Sequence, residues 1–437
     1  MSYLKNLFTS LLILFSFASI AKANPTLADA LAQKRQVAIF NVNDVFTDAD
    51  SIQAFMESLL LASEYGALVS QYFVTDDEAN EKTVKVVCRA IEDGTSLKDD
   101  NCVDIRQHYS AAPQTQPIFG YRAQDTATVL FPLADHLKVK INVIQGDLSA
   151  NPTYNPYYGN FRKDHCQEDE KYIHRINKET GSRAVIEAMR KEQSEGKLVY
   201  VLNGGSLKLL SEIQRQAPDL LPSLDVTVMG FRQPMNFPPF NNPDRKWRPS
   251  WNEGIDRDAT LQFINFASNP DNPHFSALRI VDSNTVEYAM VCDGYLFPSY
   301  KDYLSKLEPL VSKATFKNLL DAEFRHQQWS GYKTKFMDPT IVFDAFGLVP
   351  IPKLEVTIEE NSKDYNIHRA QGFKAWIPSM ENGEHPFSHP RRNEDESIED
   401  FKKRAPEFAG HIERVEIYRE SLRVSHAETW DIIETKN

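Results

Sequence analysis

An α/β fold with an open, mainly parallel sheet flanked by helices follows from three features of the sequence. Short apolar runs of strand length recur along the chain, each followed by a helical pattern of apolar residues. The runs are of the buried type, and strands alternating with helices in this way imply βαβ units. Polar or glycine-containing turns close them at residues 43–50, 203–205 and 229–230. These are the carboxyl ends of the expected strands, where open α/β sheets bind their ligands.

In chain order, VAIFNV (37–42) is the first strand, and Ile52, Phe55, Met56, Leu59 and Leu60 mark the helix behind it. GALVSQYFVT (66–75) predicts the second strand and EKTVKVVCRAIE the helix that follows. LKVKINVIQG predicts the third strand. The helix SRAVIEAMRKEQ then leads into the strand KLVYVLNGG, the helix SLKLLSEIQRQA and the strand LDVTVMG. Three Pro- and aromatic-rich stretches interrupt the pattern: HYSAAPQTQPIFGY, NPTYNPYYGNF and FRQPMNFPPFNNPDRKWRPSW. Stretches of this length read as surface excursions or lids. Near the C-terminus, RRNEDESIEDFKKR reads as a solvated helix and its approach. No internal repeat is visible.

The 437 residues are 41% hydrophobic, which supports a sizeable core and argues against global disorder. The chain opens MSYLKNLFTSLLILFSFASIAKANP. Lys5 gives a short basic region, residues 7–20 an apolar run, and Ala21-Lys22-Ala23 a small-x-small cleavage site. The apolar run is shorter than the roughly 20 residues a membrane span needs. The expectation is a signal peptide over 1–23, a periplasmic or secreted product, and no membrane contact after cleavage. A domain over 24–350 follows, with 351–437 partly completing it. The net charge is −12, and cleavage removes two lysines and no acid. Such a chain repels phosphate backbones, and no basic stripe compensates, so polymeric nucleic acid is excluded as a ligand. Cys88, Cys102, Cys166 and Cys292 permit disulfides in an exported protein, with Cys88–Cys102 favoured because it closes a short polar loop. With no CxxC pair, a cysteine zinc site is not expected.

Four separated segments align with one family. IFNVNDVFTDADS resembles the N-terminal D-T-D-P-G-x-D-D motif of the inosine-uridine-preferring nucleoside hydrolases. LVYVLNGGSLKLL is similar to their strand–turn–helix with T-G-P-L-T-N. VTVMG followed by SWNEGIDRDAT resembles their V-M-G strand and E-F-N-x-x-x-D-P-E-A-A segment, and FMDPTIVFDAFG their H-D-P-hydrophobic segment. The order holds from about residue 37 to 348, and 353–376 continues toward the family's later strands. The resemblance implies a Ca²⁺ ion that grips the ribose 2′ and 3′ hydroxyls and a water, which attacks the anomeric carbon as the base leaves. A hard cation takes oxygen ligands and lowers the pKa of bound water; the cationic transition state calls for a carboxylate base.

Carried over residue by residue, Asn41 replaces the first motif Asp, and Asn43 the Asp that ligates calcium and acts as base. Thr47 and Asp48 fall on the Asp-Asp pair, so Asp48 is an expected metal ligand. The others are Asn203, on a Thr that binds through its carbonyl, and Asp338. Met229, Asn252 and Asp77 fall at ribose-contact positions, Ser250 replaces a Glu, and Met337 replaces the His that contacts the leaving base. An amide oxygen can ligate calcium but is not a usable base near neutral pH. Asn43 and Thr47 remove two negative charges from the metal cage, so Ca²⁺ binding is expected to be weak or absent, with Asp44 or Asp50 as neighbouring carboxylates that compensate if the loop is shifted. AIFNVNDVFTDAD also resembles the first motif of haloacid-dehalogenase-type phosphatases, but no lysine and acidic magnesium motif follows in order. A G-x-S-x-G elbow is absent as well. Two readings stand side by side: an N-ribosyl hydrolase with a modified metal site, and an impaired pseudoenzyme that binds a nucleoside, sugar or protein partner. The expected small-molecule ligand is a nucleoside or riboside, and self-association is left open.

Overall fold

The structure, a computed structural model, describes residues 24–43, 49–75, 123–146, 171–230, 252, 257–267, 269, 271–282, 300–313, 315–317, 319–320, 337–349, 354–355, 397–404, 406 and 409–436. Its centre is a sheet in the order β3-β2-β1-β4-β5-β6-β7. The strands are β1 (Val37–Asn43), β2 (Val69–Thr75), β3 (Ile141–Gln145), β4 (Leu198–Asn203), β5 (Leu224–Gly230), β6 (Ala277–Asp282) and β7 (Leu354–Glu355). The first six pair in parallel, and β7 closes the edge antiparallel to β6. The chain works outward from β1 to β3 and then returns to lay β4 on the other side of β1. The strand order therefore reverses between β1 and β4, the point at which open sheets of this kind form a ligand crevice.

Strand parity decides which layer each side chain enters, because successive residues face opposite sides of a sheet. From β1, Val37 and Ile39 enter one core layer, with α2 (Ala49–Ser63), α3 (Ala123–Leu137), α8 (Met337–Ala345) and α10 (Ala409–Thr435). Ala38, Phe40 and Val42 enter the other, with α4 (Gly181–Ser194), α5 (Lys208–Gln216) and α6 (Arg257–Ala267). Phe40 stacks on Tyr72 of the neighbouring strand at 4.3 Å between centroids. Leu422, Trp430 and Ile433 of α10 belong to the first layer, so the last helix shares its core with β1 and α2. The shorter helices are α1 (Leu27–Ala32), α7 (Tyr300–Leu304) and α9 (Ile398–Arg404). Among the described residues, no helix is long and apolar enough to cross a membrane.

Each expected strand up to β5 is present, with β2 and β3 starting later than expected, β3 at Ile141 because Leu137 still belongs to α3. Residues Gly66–Leu68 form a 3₁₀ turn before β2, because Gly66 takes a positive φ of 55° that an extended strand does not use. The charged segment near the C-terminus contains α9, as expected, and the helices over 181–194 and 208–216 match their periodicity. The structure adds elements that the sequence did not announce, among them β6 and the helices α1, α6, α7 and α8, and the two longest of the added helices are α3 and α10. Pro132 lies inside α3 and removes one main-chain hydrogen bond there, which hides the helix from pattern reading. The signal segment, the helix over 81–92, all four cysteines and the three aromatic-rich stretches lie outside the described residues.

Charged ties gather at the amino ends of the strands. The Tyr72 hydroxyl donates to Glu192 (2.5 Å), whose other oxygen meets the Lys197 ammonium at 2.5 Å; Lys197 also donates to Ser70 (2.9 Å). Burial works against the Lys197 charge, but Glu192 and Glu195 outweigh it and raise the pKa. Arg279 forks onto buried Asp225 across β5 and β6.

Burial, seconded by the Glu192 hydrogen bond, raises the Tyr72 phenol far above its ordinary value; burial and the Asp225 charge do the same to Tyr200. Tyr303 is pushed up to about 12, by burial first and then by Glu57. An unfolded phenol titrates near ~10. Above that pH the unfolded chain sheds protons that the native chain keeps, so these groups leave stability unchanged below ~10 and lower it as pH rises further. Tyrosinate absorbance followed with far-UV circular dichroism should show two steps, exposed tyrosines first and the remainder together with unfolding. A single step that precedes loss of structure would contradict this.

Candidate functional site

The site is built where β1 and β4 end. Asn41 and Asn43 continue the parity of Val37 and Ile39 and so face α2, and both are buried. Asn43 Nδ2 donates to Asn41 Oδ1 at 2.8 Å, and Asn41 Nδ2 donates to the Ala54 carbonyl of α2 at 3.4 Å. With its nitrogen engaged, Asn43 turns its Oδ1 toward the start of the β4 turn. Next to it, Gly204 and Gly205 donate their amides to the Val42 carbonyl at 2.8 and 3.3 Å, which seats the turn against β1.

Gly204 is the close approach. A Cβ there would lie 2.0 Å from Asn43 Oδ1 and 3.1 Å from Asp338 Cγ, so these two side chains meet over its Cα. Asp338 lies in the first turn of α8, where the helix dipole favours a carboxylate. Pro339 follows it, in the first turn where a missing N–H costs no hydrogen bond. Ser51, in the first turn of α2, donates to Asp338 Oδ2 at 2.7 Å. The start of α2 and the start of α8 thus face each other across one carboxylate. Asn203 Nδ2 donates to the carbonyls of Gly205 (2.8 Å) and Ser206 (3.3 Å). Asn252 Nδ2 donates to Gly204 O at 2.5 Å and Met229 O at 3.0 Å, joining the ends of β4 and β5.

Two buried acceptors, Asn43 Oδ1 and Asn203 Oδ1, have no hydrogen-bond partner among the described residues. Leaving a buried acceptor unmet costs about 1–3 kcal/mol. Such atoms in a built site mark a place for a donor or a cation. Asn43 Oδ1 and the Asp338 carboxylate, which meet over Gly204, are oxygen donors of the kind a hard cation such as Ca²⁺ takes, whereas the Asn203 side chain has the parity of the other face of the sheet. Among the described residues, no three His, Cys, Asp or Glu side chains gather as a ligand set.

Of the expected site residues, Asn43 and Asp338 converge over Gly204, and Asn203 precedes that glycine. Asn252 and Met229 adjoin them, Asn252 as an amide answering main-chain carbonyls and Met229 as a member of the core layer on the α2 side. Asp44, Asp48 and Asp77 lie outside the described residues, as does the side chain of Met337, whose backbone opens α8. Sequence reasoning missed Ser51 and Gly204. Ser51 was readable only as part of an acidic helix start, and Gly204 only as a turn glycine.

No family model matches the sequence, and no curated protein matches it in a sequence comparison. Among solved structures, the chain is similar to the inosine-uridine preferring nucleoside hydrolase from Bacillus anthracis, at 10% identity over 87% of this chain and 98% of that one, with a TM-score of 0.40. It is similar to a purine-preferring ribonucleoside hydrolase from Gardnerella vaginalis at 10% identity, 89% and 99% coverage and a TM-score of 0.41. A third similarity is to the type III effector protein XopQ complexed with adenosine diphosphate ribose, at 13% identity, 73% and 84% coverage and a TM-score of 0.42. Likeness at this level assigns neither ligand nor activity to this chain.

Gly204→Ala should expose the tightness of the site. The added methyl overlaps Asn43 Oδ1 and must push it off Asp338 or shift the turn, at about 1–3 kcal/mol. Urea denaturation measures the loss; a variant as stable as the parent would mean that the side chains over Gly204 are free to yield.

Proposed function

We propose that this chain is an exported, nucleoside-hydrolase-like protein that holds the ribosyl part of a nucleoside or riboside at the ends of β1 and β4, with hydrolysis reduced to a slow side reaction. The observation that carries the reading is the unmet amide oxygen Asn43 Oδ1 beside the Ser51-bound Asp338, over Gly204 at the end of β4. A ribosyl hydroxyl is a donor of the kind that oxygen lacks. The four segments whose motifs resemble the hydrolase family supply Asn43, Asn203, Asn252 and Asp338, and all four residues gather there.

The same geometry supports weak chemistry. Asn43 stands where a base would be needed, and its amide takes no proton near neutral pH. Its nitrogen is tied to Asn41, so the two form a neutral, hydrogen-bonded pair rather than half of a carboxylate cage. Asp338 is an acceptor already engaged by Ser51. If Ca²⁺ binds, Asn43 Oδ1, Asn203 and Asp338 are the residues to hold it, and it would supply an electrophilic anchor for hydroxyls. The protein's own part is then to orient the ribose and to exclude water.

Calorimetry with ribose, with and without added Ca²⁺, tests the binding. Asp338→Ala should abolish it, and a native protein that binds no ribose in either condition removes this reading. Turnover is tested with p-nitrophenyl riboside. Asn43→Asp should raise hydrolysis at least tenfold, within the roughly 10²–10⁴-fold that general-base catalysis supplies. Brisk hydrolysis by the native chain would instead place the base elsewhere.

A further inference from the structure

We propose that His426 of α10 is a positioning residue for the site: through it, the C-terminal helix clamps α2 to α8 and so holds the Ser51–Asp338 hydrogen bond. Its ligand side rests on the reading above, whereas its structural side does not.

His426 is 1% exposed and lies between the two helices that carry that hydrogen bond. Toward α2, its Nδ1 sits at ion-pair distance from Glu57 Oε1, 2.6 Å, and its Nε2 lies 2.7 Å from Gln53 Nε2. An amide nitrogen only donates, so the imidazole Nε2 accepts from Gln53. Toward α8, the ring meets Phe343 edge-on at 5.4 Å and 84°. One turn along α10, Trp430 Nε1 donates to the same Glu57 oxygen at 2.9 Å. Tyr303 packs against both rings, at 5.1 Å from His426 and 5.8 Å from Trp430.

The contacts are polar where an apolar seam would have packed as well, and that difference carries the inference. Glu57 is completely buried. A carboxylate taken out of water is costly unless donors meet it; Gln53 of α2 and Trp430 of α10 donate to its Oε1, and the His426 ring of α10 packs against the same oxygen. Directional contacts of this sort fix the rotation and register of a helix, which greasy contacts let slide. Ser51 lies six residues before Glu57 on α2, and Asp338 five before Phe343 on α8. At ~1.5 Å per residue these are lever arms of roughly 9 and 8 Å. A tilt of about 10° at the clamp therefore moves Ser51 by about 1.5 Å relative to Asp338, enough to break a hydrogen bond that fails beyond ~3.2 Å.

The test compares the full-length protein with His426→Phe, which keeps an aromatic ring in place and removes both nitrogens. Amide hydrogen exchange in the first turns of α2 and α8 should rise about tenfold or more, with β1 and β4 unchanged. Ribose affinity should fall by a similar factor, and Ser51→Ala with His426→Phe should bind no worse than Ser51→Ala alone. Sites this far apart normally act independently, so multiplying effects, or exchange changes confined to α10, would overturn the clamp. If His426→Phe does not fold, Glu57→Gln, which keeps the shape and removes the charge, is read by the same two measurements. A native protein that binds no ribose sinks the ligand reading alone, and the exchange comparison still decides the clamp.

Discussion

Every residue of β1 is buried, so the two amides at its carboxyl end must be answered from inside the protein. That requirement organises the site. Asn41 reaches into α2 for the Ala54 carbonyl, Asn43 leans on Asn41, and the remaining Asn43 oxygen is left facing Gly204 and Asp338. Two carboxylates at the same 2.8 Å separation would repel and would need a shared proton or a cation between them. The amide pair needs neither. Asn at both positions therefore ties the end of the central strand by a neutral hydrogen bond, where a doubly acidic version would need a proton or a cation between its carboxylates.

The first five strands were legible because they read as compact apolar runs bounded by turns, four of them almost wholly buried; β6 was not read. The site was legible in outline for the same reason: Asn43, Asn203 and Met229 end such runs. What escaped notice is what polar burial conceals. In α10 the core-facing positions include Ser425, His426 and Thr429, all buried, so its inward stripe does not read as apolar. In α3 the proline breaks the pattern. Ser51 and Gly204 are small residues whose roles depend on what the fold carries to them, Asp338 from 287 positions away in the first case. A single sequence contains no signal for that distance.

Polarity is partitioned along the strands. Charged ties, from Glu192 with Lys197 and from Asp225 with Arg279, hold the amino ends, while the polar groups gathered about Gly204 at the carboxyl end are amides, a serine and the Asp338 carboxylate, with Asp50 buried in the first turn of α2. Partly buried ion pairs are tolerable where geometry is fixed and donors are plentiful. At a binding end they would compete with a ligand for the same hydrogen bonds. With those ties at the far end, Asn43 Oδ1 and Asn203 Oδ1 at the carboxyl end have no hydrogen-bond partner among the described residues.

Helix α2 links these features, because three of its residues are each held by a different part of the chain. Ser51 answers Asp338 of α8, the Ala54 carbonyl answers Asn41 of β1, and Glu57 is answered from α10. The three lie at intervals of three residues, nearly one turn apart, and so on one broad face of the helix. A helix held at three points along one face has little freedom to roll or slide. The Ser51–Asp338 hydrogen bond at the carboxyl end of the sheet therefore shares one helix with an attachment to α10, in which Trp430 donates to Glu57.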